Sequence, residues 1–245
     1  MNNIIYPLHV GTLKTKHSGL IHSGKSDIYV DAPIFMWYID GTEENIIVDT
    51  GPANSEWGTR FHNPLTKRTD QEVEAALQKV NLRLEDIKIV INTHLHWDHC
   101  YGNTLFPNAR FLVQRNELRY AAAPDLKDEK YYENKITIPP YIQMFNKFDC
   151  LDGDEQITDG IQVLSLPGHS PGMQGVLVNT QKGKYLIASD AIPTYQNLKH
   201  QVAPGIHSDY SDSLESIEKS KSYADVIIPG HDPLVLKSKY FGLTT

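Results

Sequence analysis

The chain has 245 residues, 40% of them hydrophobic, and a formal net charge of −7. That is enough apolar chain for a substantial core in one large domain or two small ones, and the acidic balance argues against broad, phosphate-driven nucleic-acid binding. No run of about 18 apolar residues is present, so no membrane span is expected, and two cysteines are too few for a disulfide framework. The opening stretch lacks the apolar run of a signal peptide, so a cytoplasmic protein is expected.

Short β-branched and aromatic runs come first: IIYPLHV (4–10), PIFMWYI (33–39) and NIIVD (45–49). Turn residues such as Asp40-Gly41 and Thr50-Gly51-Pro52 separate them. Thr69-Asp70-Gln71-Glu72 has the form of a capping box, and Val73, Ala76, Leu77 and Val80 follow at the spacing of one helix face. IKIVI (87–91) and ARFLV (109–113) predict strands on either side of a polar cluster. The Tyr-, Lys- and Glu-rich segment 116–148 predicts helix with a break at Pro139-Pro140, either a lid or insertion beside a site or ordinary surface helices. IQVLSLPGH (161–169), YLIASD (185–190) and VIIPGH (226–231) predict further strands, with a helix over about 212–224 before the last of them. Strands alternating with helices predict an α/β fold. No linker composition divides the chain, so one domain spanning 1–245 is expected.

The strand ends share a chemistry. Apolar runs terminate in Asp49, His94, His169, Asp190 and His231. Ligands of open α/β sheets bind outside the carboxyl ends of strands, so distant segments would deliver metal-ligand side chains to one sheet edge. The densest of them is NTHLHWDHC (92–100), in a chain with 11 histidines. Residues two apart on a strand face the same way, so His94 and His96 can face one ion. A turn into helix near Asp98 would aim Asp98 and His99 at a second. Nitrogen and carboxylate ligands without a thiolate pair suit zinc or another first-row divalent metal. Seven candidates exceed one tetrahedral shell and match two ions sharing a carboxylate. The competing interpretation is a set of core histidines satisfied by backbone carbonyls. Cys100 beside the cluster is read as a packed residue. Trp97 either walls a substrate pocket or packs. His9, His17, His22 and His62 show no partner pattern, whereas His200 and His207 could line a cleft.

HLHWDH, PGHSPG around His169, Asp190-Ala191, PGHD around His231 and the upstream Asp49-Thr50-Gly51 together resemble the metallo-β-lactamase superfamily, over about residues 34–231. The resemblance implies a four-layered αβ/βα sandwich with the site at one edge of two sheets. It also implies that His94, His96 and His169 hold one zinc, that Asp98, His99 and His231 hold the other, that Asp190 bridges, and that Asp49 orients a ligand histidine from behind. Iron, manganese or cobalt could replace zinc.

Within the superfamily the chain is most similar to the N-acyl-homoserine lactone hydrolases, through HLHWDH followed by Gly102-Asn103, LPGHSPGMQG and Asp190-Ala191. Those enzymes carry a tyrosine three residues after the bridging aspartate. Here that position is Pro193, and Tyr195 follows two residues on. The resemblance implies opening of a lactone by a hydroxide shared between the metals, with Asp98 shuttling the proton and Tyr195 the candidate to hydrogen-bond the substrate carbonyl. Met36, Trp57, Phe61 and Trp97 could line an acyl pocket. The expected partner is a small ester or lactone, with neither nucleic acid nor membrane. Hydrolysis of another ester, thioester or amide is the alternative, and a non-catalytic binding protein on the same fold is a further one.

Overall fold

The computed structural model describes residues 3–132 and 138–243. Its first sheet contains β1 (Ile4–Lys16), β2 (Tyr29–Asp40), β3 (Ile46–Val48), β4 (Leu65–Thr66), β5 (Ile89–Ile91), β6 (Arg110–Gln114) and β7 (Phe148–Leu151). The second contains β8 (Glu155–Thr158), β9 (Ile161–Ser165), β10 (Gln174–Thr180), β11 (Gly183–Ser189) and β12 (Val226–Pro229). The strand orders are β4-β1-β2-β3-β5-β6-β7 and β12-β11-β10-β9-β8.

Strand periodicity builds the layers. Successive side chains on a strand point to opposite faces. Phe35, Trp37 and Ile39 of β2, Ile46 and Val48 of β3, and Ile89 and Ile91 of β5 meet Val163, Val176, Val178, Ile187 and Ile228 of the second sheet in one buried cluster. The intervening residues turn outward. Ile34, Met36, Ile47 and Val90 pack with Val73, Ala76 and Leu77 of the helix Val73–Gln78. Leu164, Leu177, Leu186 and Ala188 pack with Ile217 of the helix Tyr210–Tyr223. Helix, sheet, sheet and helix thus form the expected four-layered αβ/βα sandwich. Burial on both faces explains why these strands are almost continuously apolar. Each fully buried Ile, Val or Leu contributes roughly 1.5–3 kcal/mol.

Parallel pairing puts strand ends together. β3, β5, β6 and β7 run parallel to one another, and β11 runs parallel to β12. The carboxyl ends of β3 and β5 therefore lie side by side, as do those of β11 and β12.

The capping box is a correction. Thr69–Gln71 forms a single tight turn in which Gln71 Oε1 accepts from the Arg68 N–H at 2.8 Å, and the helix starts only at Val73 with no side-chain cap. The later helix begins at Tyr210, capped by Asp209 accepting from the Asp212 N–H. Of the 116–148 segment, Arg115–Ala122, Glu129–Tyr132 and Pro140–Gln143 are helical, while 133–137 lie outside the described residues. No helix among the described residues is long and apolar enough to cross a membrane.

Candidate metal centre

Five loops at the strand ends converge. β3 ends into Asp49, β5 into Thr93-His94, β9 into His169, β11 into Asp190 and β12 into His231. His96 then opens the short helix Trp97–Cys100, whose first turn carries Asp98 and His99. The ligand-type atoms fall into three overlapping groups, each within 4.8 Å: His94, His96 and His169; His94, His99 and Asp190; Asp98, His99 and His231. The second group shares His94 with the first and His99 with the third, and so ties all three into one centre. All seven residues are buried, Asp98 being the most exposed at 8%.

Two of the loops hold strained backbone. Asp49 (φ 56°) and Ser189 (φ 46°) adopt the left-handed region, which costs roughly 1–3 kcal/mol for such residues. Gly168, at φ 129°, precedes His169, and a Cβ there would collide with the Ser213 backbone.

Hydrogen bonds aim the rings. His169 Nδ1 donates to the Ile206 carbonyl and His231 Nδ1 to the Pro33 carbonyl, at 2.8 and 2.9 Å. His99 Nδ1 donates to Asp49 Oδ2 at 2.8 Å. Thr93 Oγ1 donates to the same carboxylate oxygen, also at 2.8 Å, and lies 3.1 Å from His94 Nδ1, which it can accept from. With Nδ1 committed as donor, Nε2 is the nitrogen each of these four rings has for a cation, as a lone pair once any proton there is displaced. Their Nε2 atoms face inward. Those of His94 and His99 are buried without any hydrogen-bond partner, an arrangement that costs free energy unless something else binds there. His96 meets the group through Nδ1, 3.1 Å from His169 Nε2.

Charge follows the same pattern. Burial, then neighbouring imidazoles, pushes His94 and His96 well below the ordinary histidine range, and burial lowers His169. These three are neutral, as metal ligands must be. Burial also opposes charge on His99, but Asp98, Asp190 and Asp49 outweigh it and hold the ring at about 10. His231 is raised against burial by Asp190, whose Oδ1 lies 2.9 Å from its Nε2. Asp190 is held well below the usual carboxylate range, against burial, by His231, His99 and His169. In the metal-free centre protons on His99 and His231 balance the carboxylates. Cations would take over that role. Lone-pair nitrogens without partners, surrounding carboxylates and three overlapping ligand groups all fit a pair of divalent cations.

Other predicted residues are placed differently. Asp49 accepts from Thr93 N–H, Thr93 Oγ1 and His99 Nδ1 directly behind the cluster. Tyr195 is not brought to the centre. Thr194 caps the helix Tyr195–His200, and this turns the Tyr195 ring onto the intersheet core. Pro193, at the position expected for a tyrosine, accepts the His231 N–H at 2.8 Å and so fixes that loop. Met36 is fully buried on the helix-facing side of β2, where it cannot line a pocket. Trp57, Phe61 and Trp97 form an aromatic group with His62, whose ring stacks on Trp97 at 4.3 Å. A cleft of about 200 Å³ opens instead beside His231, with Leu20, Ile21, Val30, Thr194, Gln196 and Pro233 among its lining residues. Trp57, Phe61 and Trp97 are not part of that lining. Cys100 packs with its Sγ donating to the Leu95 carbonyl. His207 bonds the Pro204 carbonyl and packs on His22.

Sequence reasoning missed three neighbours. Tyr131 and Tyr132 place their rings 5.2 and 4.6 Å from His96, so the 116–148 segment borders the centre. Glu117 lies fully buried beneath it. Its only signal was a carboxylate sharing a helix face with Leu118 and Ala121.

His62 offers a pH test of the aromatic group. Burial lowers it to about 4. Between that value and the unfolded value of about 6.5 the unfolded chain binds more protons, so stability rises with pH. The His62 contribution is present above about 6.5 and is lost as pH falls through about 4. Denaturant midpoints of the wild type and His62→Phe, compared at pH 7 and pH 5, should show the larger acid loss in the wild type. Equal losses would contradict the burial of a neutral ring.

The Metallo-beta-lactamase superfamily model matches residues 30–231. The chain belongs to this superfamily. The superfamily match spans every strand end that carries a ligand-type residue. N-acyl homoserine lactonase AiiA of Bacillus thuringiensis subsp. kurstaki is 31% identical over 242 residues, covering 93% of this chain and 92% of that one. N-acyl homoserine lactonase AttM of Azorhizobium caulinodans is 30% identical over 246 residues, covering 94% and 93%. Among solved structures, an N-acyl homoserine lactone hydrolase with the product N-hexanoyl-L-homoserine bound at its catalytic metal centre superposes with a TM-score of 0.81 at 25% identity, covering 97% of this chain and 96% of that one.

Proposed function

We propose that this chain, taken as one hydrolase domain over 1–245, opens the lactone ring of N-acyl homoserine lactones at a dinuclear metal centre. The observation that carries the hydrolytic reading is the convergence of five buried imidazoles and two carboxylates, with the His94 and His99 Nε2 atoms left without partners. Near-full-length similarity to N-acyl homoserine lactonases supports the substrate.

His94, His96 and His169 would hold one cation and Asp98, His99 and His231 the other, with Asp190 a ligand available to both. Zinc is the preferred ion, with iron, manganese or cobalt as substitutes. When bound, such a pair polarises the lactone carbonyl and lowers the pKa of a water towards about 7, so that a nucleophile exists at neutral pH. Asp98 Oδ2 lies 3.6 Å from His99 Nε2 and 3.9 Å from His231 Nε2, and its Oδ1 takes the proton released as the attacking water adds to the carbonyl carbon and gives it to the ring oxygen as the C–O bond breaks. Asp49 and Thr93 keep His99 and His94 oriented. The cleft adjoins the centre at His231, and Leu20, Ile21 and Val30 in its lining suit an acyl chain. Two free cysteines fit a reducing cytoplasm. A chain of net charge −7 fits a neutral small molecule rather than nucleic acid or an anionic membrane.

Placement of the Tyr195 ring on the core favours a second reading, hydrolysis of another small ester or thioester, since Tyr195 is then not the hydroxyl that selects a lactone carbonyl. Zinc-loaded protein should be assayed by proton release on short- and long-chain acyl homoserine lactones, aryl esters and thioesters. Lactone turnover that a chelator abolishes is expected. Turnover of thioesters or aryl esters with inert lactones would replace the first reading by the second.

A further inference from the structure

Glu117 is a buried carboxylate that the mechanism does not use. It sits in the first turn of the helix Arg115–Ala122 and has no exposed surface. Its Oε1 accepts from the Leu95 N–H at 2.9 Å and from Tyr132 Oη at 2.8 Å. Its Oε2 accepts from Ser170 Oγ at 2.6 Å and from the Gly172 N–H at 3.2 Å. Leu95 stands between His94 and His96, and Ser170 follows His169 directly. Tyr132 in turn packs its ring on His96 and accepts, through its carbonyl, from Tyr141 Oη. A Cβ on Gly172 would run into the Glu117 backbone, so the His169 loop lies directly on this helix turn.

We propose that Glu117 is a positioning residue, clamping the His94–His96 loop of the first sheet to the His169 loop of the second, so that the three imidazoles of one cation position keep their spacing. The proposal rests on the dinuclear reading above. One carboxylate joins segments more than seventy residues apart in sequence and touches neither cation nor substrate. All four of its bonds come from groups adjoining, or packed on, that one triad. The Asp98, His99 and His231 group is oriented instead through Asp49 and the Pro33 carbonyl. Asp49 also reaches His94 through Thr93, but none of the four Glu117 bonds goes to Asp98, His99 or His231, so losing Glu117 should disturb the first position and leave the second in place.

Glu117→Gln tests this with little change in volume. A carboxamide has one accepting oxygen and one donating nitrogen. Ser170 and Tyr132 hydroxyls can rotate to accept from it, but a backbone N–H cannot, so either Leu95 or Gly172 loses its partner. Full-length metal-free protein is titrated with zinc against a chelator, with circular dichroism and melting as the fold control. Wild type should bind about two zinc ions. Glu117→Gln should bind one of them about 10–100-fold more weakly, the range typical of groups that orient metal ligands, with the other unchanged. Cobalt spectra should show the altered set to be the all-histidine one. A titration identical to wild type, or equal weakening of both ions, overturns the clamp while leaving the centre intact. A wild type that fails to bind two ions overturns the centre and the clamp together. Should Glu117→Gln not fold, Ser170→Ala removes a single donor from Oε2 and is read by the same criteria: selective weakening supports the clamp, and an unchanged titration overturns it.

Discussion

Asp98→Asn should lower lactone turnover by about 10²–10⁴-fold at saturating zinc, the contribution typical of a positioned proton donor or acceptor. The substitution keeps the shape of the side chain and an oxygen for the cation, but a carboxamide cannot take up and release a proton near neutral pH. Asp98 is the most exposed of the seven ligand-type residues, at 8%, which suits the one that meets substrate. Leaving-group dependence separates proton transfer from simple ligand damage. An alkoxide released from a lactone needs the proton, whereas a phenolate from an aryl ester needs it far less. The variant should therefore lose much less activity on aryl esters. Equal losses on both substrates, or near-normal lactone rates, would remove Asp98 from proton transfer.

The second large effect is expected at Asp190. Its Oδ1 lies 2.9 Å from His231 Nε2 and 3.4 Å from His99 Nε2, and its Oδ2 lies 3.4 Å from His169 Nε2. Among the described residues no other carboxylate is within ion-pair distance of both His169 and His231. Asp190→Asn should reduce zinc from about two ions per chain to one or fewer, and turnover should fall by more than about 10³-fold, since each ion would lose an anionic ligand and the pair its bridge. The metal-free variant also loses the counter-charge for His99 and His231. Breaking a buried pair typically costs about 3–5 kcal/mol, part of which the rings avoid by releasing their protons. Elemental analysis and kinetics on the same preparation decide the matter. Two retained ions with normal turnover would exclude a bridging role.

The centre was legible because its chemistry sits at strand ends. IKIVI, LIASD and VIIP are apolar on both faces, so the polar residue that ends each run marks where the chain leaves the sandwich. What lay off that pattern was not legible. β10 escaped because GVLVNT follows the glycine-rich PGMQG and carries no ligand at its end. Met36 looked available because β2 is apolar on both faces, and composition cannot say which face meets a helix. Tyr195 depended on the path of the chain after Asp190, which Thr194 decides by capping a helix. Glu117 was hidden among the exposed charges of its helix. A carboxylate reads as solvated until the partners that bury it, here Leu95, Tyr132, Ser170 and Gly172, are known from the fold.

The ligand-type residues are divided between the sheets: His94, His96, Asp98 and His99 follow the first, and His169, Asp190 and His231 follow the second. Cations seated among them would rivet the two halves of the sandwich together at this edge. Durability then becomes a function of metal supply, because whatever binds only the native form holds the chain in that form. In zinc-starved surroundings the protein would lose its activity and its resistance to proteolysis together.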